Sequence, residues 1–396
     1  MKDISSSSFI ESPFYLREIL VFFVWLFFLM AIAQLIFLIL HKAVIERRDK
    51  RFKKKKVLYF SSITQSFFKE SHAVEPPADS VETNALIDVC IDIMTGASRK
   101  NIEIIHKTVR GFAIPGFLVN NYRNNSLWLK QYQIIETLGF LKLPEMEGFY
   151  LEIIAKESAL LEKYRAVKEQ KGVGWLSDVQ NPATRHLHLI SKALWALSCI
   201  CTDSTFWRII QVLQTPSFMS GKYNEYIFCN IIGAYRIRDQ IDLLLKDAEK
   251  LLAEDAVPLL IKRDFIQACG IARFMESRAV VAKTADHFTD STEMKIACIR
   301  TLALIGDERL EELTGRYLED GDWRVRTVAA RDAHVCSDAI VPALNRMLCD
   351  SSYFVRLNAA LSLARMGEAG KTVLMACLES SDKYERDMAL FALKQV

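Results

Sequence analysis

Seven histidines and nine cysteines are the side chains with which this chain could bind a metal or form a covalent intermediate, and their spacing favours neither. His186-Leu187-His188 is the one local histidine cluster. On a helix, positions i and i+2 point to different faces, which makes a poor pair of ligands. Close to a helix start, the two read as polar surface or capping residues. No His-Glu pair occurs anywhere, so the zincin arrangement is absent. There is no G-x-x-x-x-G-K-[ST] phosphate loop and no G-x-S-x-G. Gly172-Val173-Gly174 is two glycines in a loop with no strand before it, which is not a dinucleotide site. Cys199-Ile200-Cys201 is the closest cysteine pair, and C-x-x-C is missing. Cys229, Cys269, Cys298 and Cys377 lie in apolar helical runs, where Cys acts as a small core residue. An odd cysteine number without regular spacing suits a reducing cytosol. The expectation is no catalytic residue, no metal and no cofactor.

The strongest chemical signal is electrostatic. His41 to Lys56 holds nine cations, Lys42, Arg47, Arg48, Lys50, Arg51 and Lys53 to Lys56, against Glu46 and Asp49, a balance of +9 − 2 = +7. The whole chain is +3, so the remainder is mildly acidic at 42 − 46 = −4. A nucleic-acid-binding face would need a basic stripe in the folded part, and this balance disfavours one. The set Arg47, Arg48, Lys50, Arg51, Lys53, Lys54, Lys55 and Lys56 is expected to meet anionic lipid headgroups, at about 1 kcal/mol per cation near the surface. The same block would also serve as a bare topology signal.

What positions this block is the stretch just before it. Ile19 to Leu40 is 22 residues long with Gln34 as its only polar side chain. At about 1.5 Å per residue a helix of that length spans roughly 33 Å, enough for a hydrocarbon core of about 30 Å. The cations lie after it, so the positive-inside rule places residues 1–18 outside and the rest in the cytoplasm of a single-pass, inner-membrane protein. A cleaved signal peptide with Ala31-Ile32-Ala33 as its site is the rival. The apolar run continues past that site, and the cations behind it would resist export. Gln34 is a candidate contact with a partner helix. Val57 to Phe68 suits an amphipathic juxtamembrane helix that lies on the bilayer or extends the anchor. Lys69 to Thr83, with Pro76-Pro77, reads as a linker closing a 41–83 juxtamembrane segment.

From Asn84 onward helix follows helix, with weak strand signals; the Phe112 to Val119 run is broken by Gly111, Pro115 and Gly116. Trp195 and Trp207 sit in apolar runs as core residues, and Trp175, in a glycine-flanked loop, is a candidate partner contact. Past Glu293 the pattern becomes periodic. Asp322-Trp323-Arg324-Val325-Arg326-Thr327-Val328-Ala329-Ala330 recurs as Ser352-Tyr353-Phe354-Val355-Arg356-Leu357-Asn358-Ala359-Ala360, and in worn form from Asp382 to Leu390. Arg326, Arg356 and Arg386 are 30 residues apart, as are Ala329, Ala359 and Ala389, and Met294 to Cys298 fits one period earlier at a 31-residue step. Such a period marks stacked helical hairpins. The small residues allow close approach of neighbouring helices, and Trp323 and Tyr353 are expected to pack between repeats.

Asp350, Val355, Arg356, Ala359, Ala360 and Leu363 match the unit D-x-x-x-V-R-x-x-A-A-x-A-L. In this the chain resembles HEAT repeats, particularly the short bacterial type of phycobilisome-lyase-like proteins. The resemblance implies an all-α solenoid behind one membrane helix, regular over 293–396 and divergent over 84–292, with a separate helical subdomain ending near Pro182 as the alternative. It also implies a structural ladder in which Asp320 and Asp350 pair with Arg326 and Arg356, with Arg386 in the same position. The lack of a His-Glu pair disfavours the di-iron hydroxylases built from such repeats. The expected function is a non-enzymatic scaffold binding a protein partner at the cytoplasmic membrane face. Fold-level analogy points to an envelope-polysaccharide or glycosyltransferase complex. A HEAT-fold enzyme, lyase-like or nucleic-acid-glycosylase-like, is the alternative. On the inner helices, an apolar, aromatic strip would favour the scaffold, and an Arg/Lys stripe with a buried acid the nucleic-acid reading.

Overall fold

The computed structural model describes residues 13–68, 73–94, 96–170, 182–215, 218 and 221–395. Trp175 therefore lies outside the described residues. Among these, nineteen α-helices and four short 3-10 turns make up the regular structure, and there is no strand. The chain divides into two compact units, Met1–Ile114 and Pro115–Val396.

The first unit is dominated by α1, Pro13–Phe68, one unbroken helix. Every residue from Ile19 to Leu40, Gln34 included, is exposed. The helix then continues for 28 residues past Leu40, roughly 42 Å at 1.5 Å per residue. Of the two expectations for Val57 to Phe68, the helix follows the second: residues 41–68 continue the apolar stretch without a break. The second half of α1 turns Tyr59, Ile63 and Ser66 inward at helical spacing, against Leu86, Val89 and Cys90 of α2, Ser80–Met94. Arg51 meets Glu82 while Lys56, further on, meets Asp88 and Asp92, so α1 and α2 run in the same direction. Residues 73–78, around Pro76-Pro77 and just before α2, have no regular structure. In α3, Arg99–Gly111, the Ser98 side chain accepts from the Asn101 N–H at the N-cap. The broken apolar stretch around Phe112 becomes α4, Ile114–Arg123, with Pro115 in its first turn, where a missing N–H costs nothing.

The second unit stacks helices in two layers. One layer consists of α5 (Trp128–Leu141), α7 (Pro182–Cys199), α9 (Gly221–Arg238), α11 (Leu259–Ile271), α13 (Thr292–Ile305), α15 (Trp323–Asp332), α17 (Tyr353–Arg365) and α19 (Lys383–Leu393), each packed on the next. The other layer holds α6 (Glu147–Gln170), α8 (Asp203–Leu213), α10 (Ile241–Ala253), α12 (Arg278–His287), α14 (Leu310–Leu318), α16 (Val341–Met347) and α18 (Gly367–Cys377). The hairpin stack thus runs on both sides of Pro182. Close approach is made by small residues: Ala297, Ala329, Ala359 and Ala389 are fully buried. Upstream, glycines do the same work. A Cβ on Gly270 would lie 3.2 Å from the Thr301 Cα, and one on Gly139 would meet the Trp195 ring.

Candidate interaction surfaces

In the first unit a third of the basic block is consumed by the fold. The Arg51 guanidinium bridges Asp79 and Glu82, each at 2.7 Å. Lys55 lies 3.4 Å from Glu82 and 3.6 Å from Glu75. Lys56 reaches Asp88, and Asp92 at 2.8 Å. Glu82 is the hub: it also accepts the Ala78 N–H at 3.0 Å, and its side chain is only 4% exposed. That backbone donor, together with Arg51 and Lys55, holds its carboxyl down to about 2. Three of the eight cations expected at lipid headgroups, Arg51, Lys55 and Lys56, thus pair with carboxylates within the fold. They serve the α1–α2 contact, because the acids that neutralise them lie about thirty residues away along the chain and only the fold brings them together. Arg47, Arg48, Lys50, Lys53 and Lys54 are exposed and make no ion pair with another described residue.

In the second unit the repeat arginines do two jobs. Arg326 donates from Nη1 to the Asp320 carbonyl at 2.8 Å, closing its own loop, and from Nε and Nη2 to both Asp350 oxygens at 2.7 and 3.0 Å. Asp350 also accepts the Ser352 N–H, as Asp320 accepts that of Asp322. Burial opposes the charge on Asp350, yet Arg326 and the Ser352 N–H keep its carboxyl below the usual range. The rung before is Lys295 with Asp320, 2.6 Å apart. Here the structure departs from the expected ladder. Asp320 pairs with Lys295 and not with an arginine side chain. Arg356 donates to the Asp350 and Ser351 carbonyls, and its Nε is buried without a partner. The physical reason is Ser380, which occupies the position where Asp320 and Asp350 stand in the earlier copies. Ser380 still receives the Asp382 N–H and its carbonyl still takes Arg386, but it offers Arg356 no charge. Arg356 lies over the Tyr384 ring instead, 4.9 Å from its centre.

The aromatics of these repeats lie at the exposed edge of the stack, where Trp323, expected between repeats, does touch the next one. Trp323, Tyr353, Phe354 and Tyr384 are 45%, 50%, 53% and 61% exposed. They stand at the first or second residue of α15, α17 and α19, where the side chain projects from the loop edge of the stack. Trp323 stacks on Phe354 of the next repeat at 5.6 Å, and a shallow groove of about 320 Å3 opens beside them, floored by Ser351 and Ser352. The result is an aromatic row crossing three successive repeats. Nearby Arg324 is tied to Asp322 at 2.7 Å, so the row is not a basic stripe.

One further placement differs from the sequence reading, and one agrees with it. His186 is not surface: its Nδ1 lies 2.5 Å from the buried Glu157 carboxylate, while His188 stacks on Trp128. Trp195 is core, and it also forms, with Tyr132, a cradle around Lys192, whose ammonium bonds Glu136 at 2.8 Å. No group of three or more His, Cys, Asp or Glu among the described residues is placed to hold a metal ion.

The HEAT repeat model matches residues 340–369, which cover α16 and α17. No curated protein matches the chain. Among solved structures, an engineered protein is similar at 16% identity, covering 80% of this chain and 95% of its own, with a TM-score of 0.30. Human deoxyhypusine hydroxylase in complex with glycerol is 12% identical over 87% of this chain and 97% of its own, TM-score 0.22. Kap121p is 12% identical over 85% of this chain and 45% of its own, TM-score 0.28.

Proposed function

Taking the chain as a HEAT-repeat protein, as its residues 340–369 are, we propose that it is a membrane-anchored scaffold whose helical stack presents a docking surface to a protein partner. Ile19 to Leu40 crosses the cytoplasmic membrane with the short N-terminus outside and the stack in the cytoplasm. The observation that carries this reading is α1 itself. A 22-residue apolar stretch, exposed along its whole length, continues without a break into a segment clamped to the folded unit by buried Tyr59 and Ile63 and by ion pairs. A helix left uncovered in this way needs an apolar solvent, and a bilayer supplies it. The aromatic row is the surface best suited to a partner: aromatic anchors flanked by small polar side chains make up the energetic centre of many interfaces.

The test is extraction and topology. Carbonate-washed membranes are expected to retain the full-length chain, and protease added from the cytoplasmic side alone should degrade the stack. A mature protein beginning after Ala33, or release of the intact chain by carbonate, would overturn the anchoring.

A further inference from the structure

The face of α1 that points away from α2 has a distinct composition. Arg47, Lys50 and Lys54 lie on it at steps of three and four residues, all exposed. The same stripe continues through Val57, Leu58, Ser61, Gln65 and Phe68, with Val57 69%, Leu58 50% and Phe68 85% exposed. It lies opposite Tyr59 and Ile63, which are buried against α2. Positions repeating at this interval along a long helix form a seam for a second helix. The seam is graded: three cations nearest the apolar stretch, then Val57, Leu58 and Phe68 with the uncharged polar Ser61 and Gln65 between them.

We propose that this seam docks a helix of a different membrane protein, one that is acidic at the level of Arg47 to Lys54 and apolar at the level of Val57 to Phe68. The proposal deepens the scaffold reading and rests on Ile19 to Leu40 crossing the bilayer. Charge excludes a second copy of this chain. Two copies inserted the same way would bring Lys50 to Lys50 and Lys54 to Lys54, and Glu46, the one acid a turn from Lys50 on that face, already pairs with Lys42 at 3.9 Å and leaves the stripe positive. Distance excludes the bilayer for the apolar half. Val57 to Phe68 begins 17 residues past Leu40, roughly 25 Å further along an unbroken helix.

Photo-crosslinking of the full-length protein in its own membranes tests this. A benzophenone amino acid at Ser61 or Gln65 is expected to capture one heterologous membrane protein, and mass spectrometry should map the joined peptide to a helix with carboxylates one to four turns closer to the membrane. Lys50→Glu with Lys54→Glu should lower that yield about tenfold, while Lys50→Arg with Lys54→Arg keeps it. Neither lysine holds the fold, so an unchanged circular-dichroism melt confirms that the reversed variant is intact. Crosslinks between two copies, crosslinks to lipid alone, no crosslink, or a yield indifferent to charge reversal would each overturn the proposal. The same probe at Phe354 reports separately on the aromatic row. Capture there without capture at Ser61 would remove this inference and leave the scaffold reading standing.

Discussion

The regular repeats after Glu293 and the irregular hairpins before them solve one problem in two ways. Every helix end leaves carbonyls without partners, and a stacked array buries many of them. In the regular part, Arg326, Arg356 and Arg386 each donate to the carbonyl six residues earlier, so one register serves three loops. Upstream, arginines again do the work, but from unrelated positions and across to the neighbouring hairpin. Arg238 donates to the Ile200 and Cys201 carbonyls, Arg236 to those of Ala272 and Arg273, and Arg278 to that of Ile305. The chemistry is conserved across the molecule while the spacing is not. The stack therefore does not depend on a repeating motif: arginine donors at its loops and small residues at its crossings occur in both parts.

The sharpest way to break the comparison is at a crossing. A Cβ on Gly370 would sit 1.9 Å from the Leu363 carbonyl oxygen, a backbone atom that cannot move aside. Gly370→Ala is expected to cost about 3 kcal/mol of local stability, the upper part of the overpacking range. Hydrogen exchange in α17 and α18 would measure it. Gly139→Ala, whose nearest contacts are side-chain atoms of Trp195 and Ala196, should cost less.

Next in size is the ladder. Arg326→Met strands the Asp350 carboxylate and two carbonyls, and about 2–3 kcal/mol is expected for this half-buried pair, below the cost of breaking a fully buried one. Arg356→Met strands carbonyls only and should cost about 1 kcal/mol. Equal losses in urea melts of the two variants would show that the carboxylate contributes nothing.

The third prediction concerns pH. The Glu82 carboxyl, depressed to about 2 in the folded state, favours folding fully above its ordinary value of 4.5, and that contribution is lost as pH falls from there toward 2. Cys90, buried on α2, should become reactive to a dipyridyl disulfide, which attacks thiols in acid, between pH 4 and 3 before the second unit opens. In Glu82→Gln that acid-dependent step should be missing.

The smallest effect rebuilds the missing rung. Ser380→Asp combined with Glu385→Val, which restores the residue types of the earlier copies, should stabilise α19 by about 0.5–1 kcal/mol by giving Arg356 a partly exposed ion pair.

These contrasts also explain what could be read from the chain. The last three repeats were legible because their arginines and alanines share one register. Arg238 and Arg278 were not, because a donor serving a neighbour's carbonyl carries no periodicity. The apolar span was legible from length alone, but its unbroken continuation was only one of two readings. The sequence around Pro76-Pro77 looks like a tether, and nothing local reveals that Glu82, Asp88 and Asp92 return to meet Arg51 and Lys56. The exposure of Trp323 and Tyr353 was also hidden, because an aromatic next to a V-R motif has the same composition whether it faces in or out.

The scaffold account is tested most directly by purifying the detergent-solubilised full-length protein beside a variant with Trp323→Ser, Phe354→Ser and Tyr384→Ser. The account predicts a defined membrane partner with the parent and its loss with the variant at unchanged helicity. Recovery of the parent alone together with a turnover activity, or an identical partner with both proteins, would contradict it.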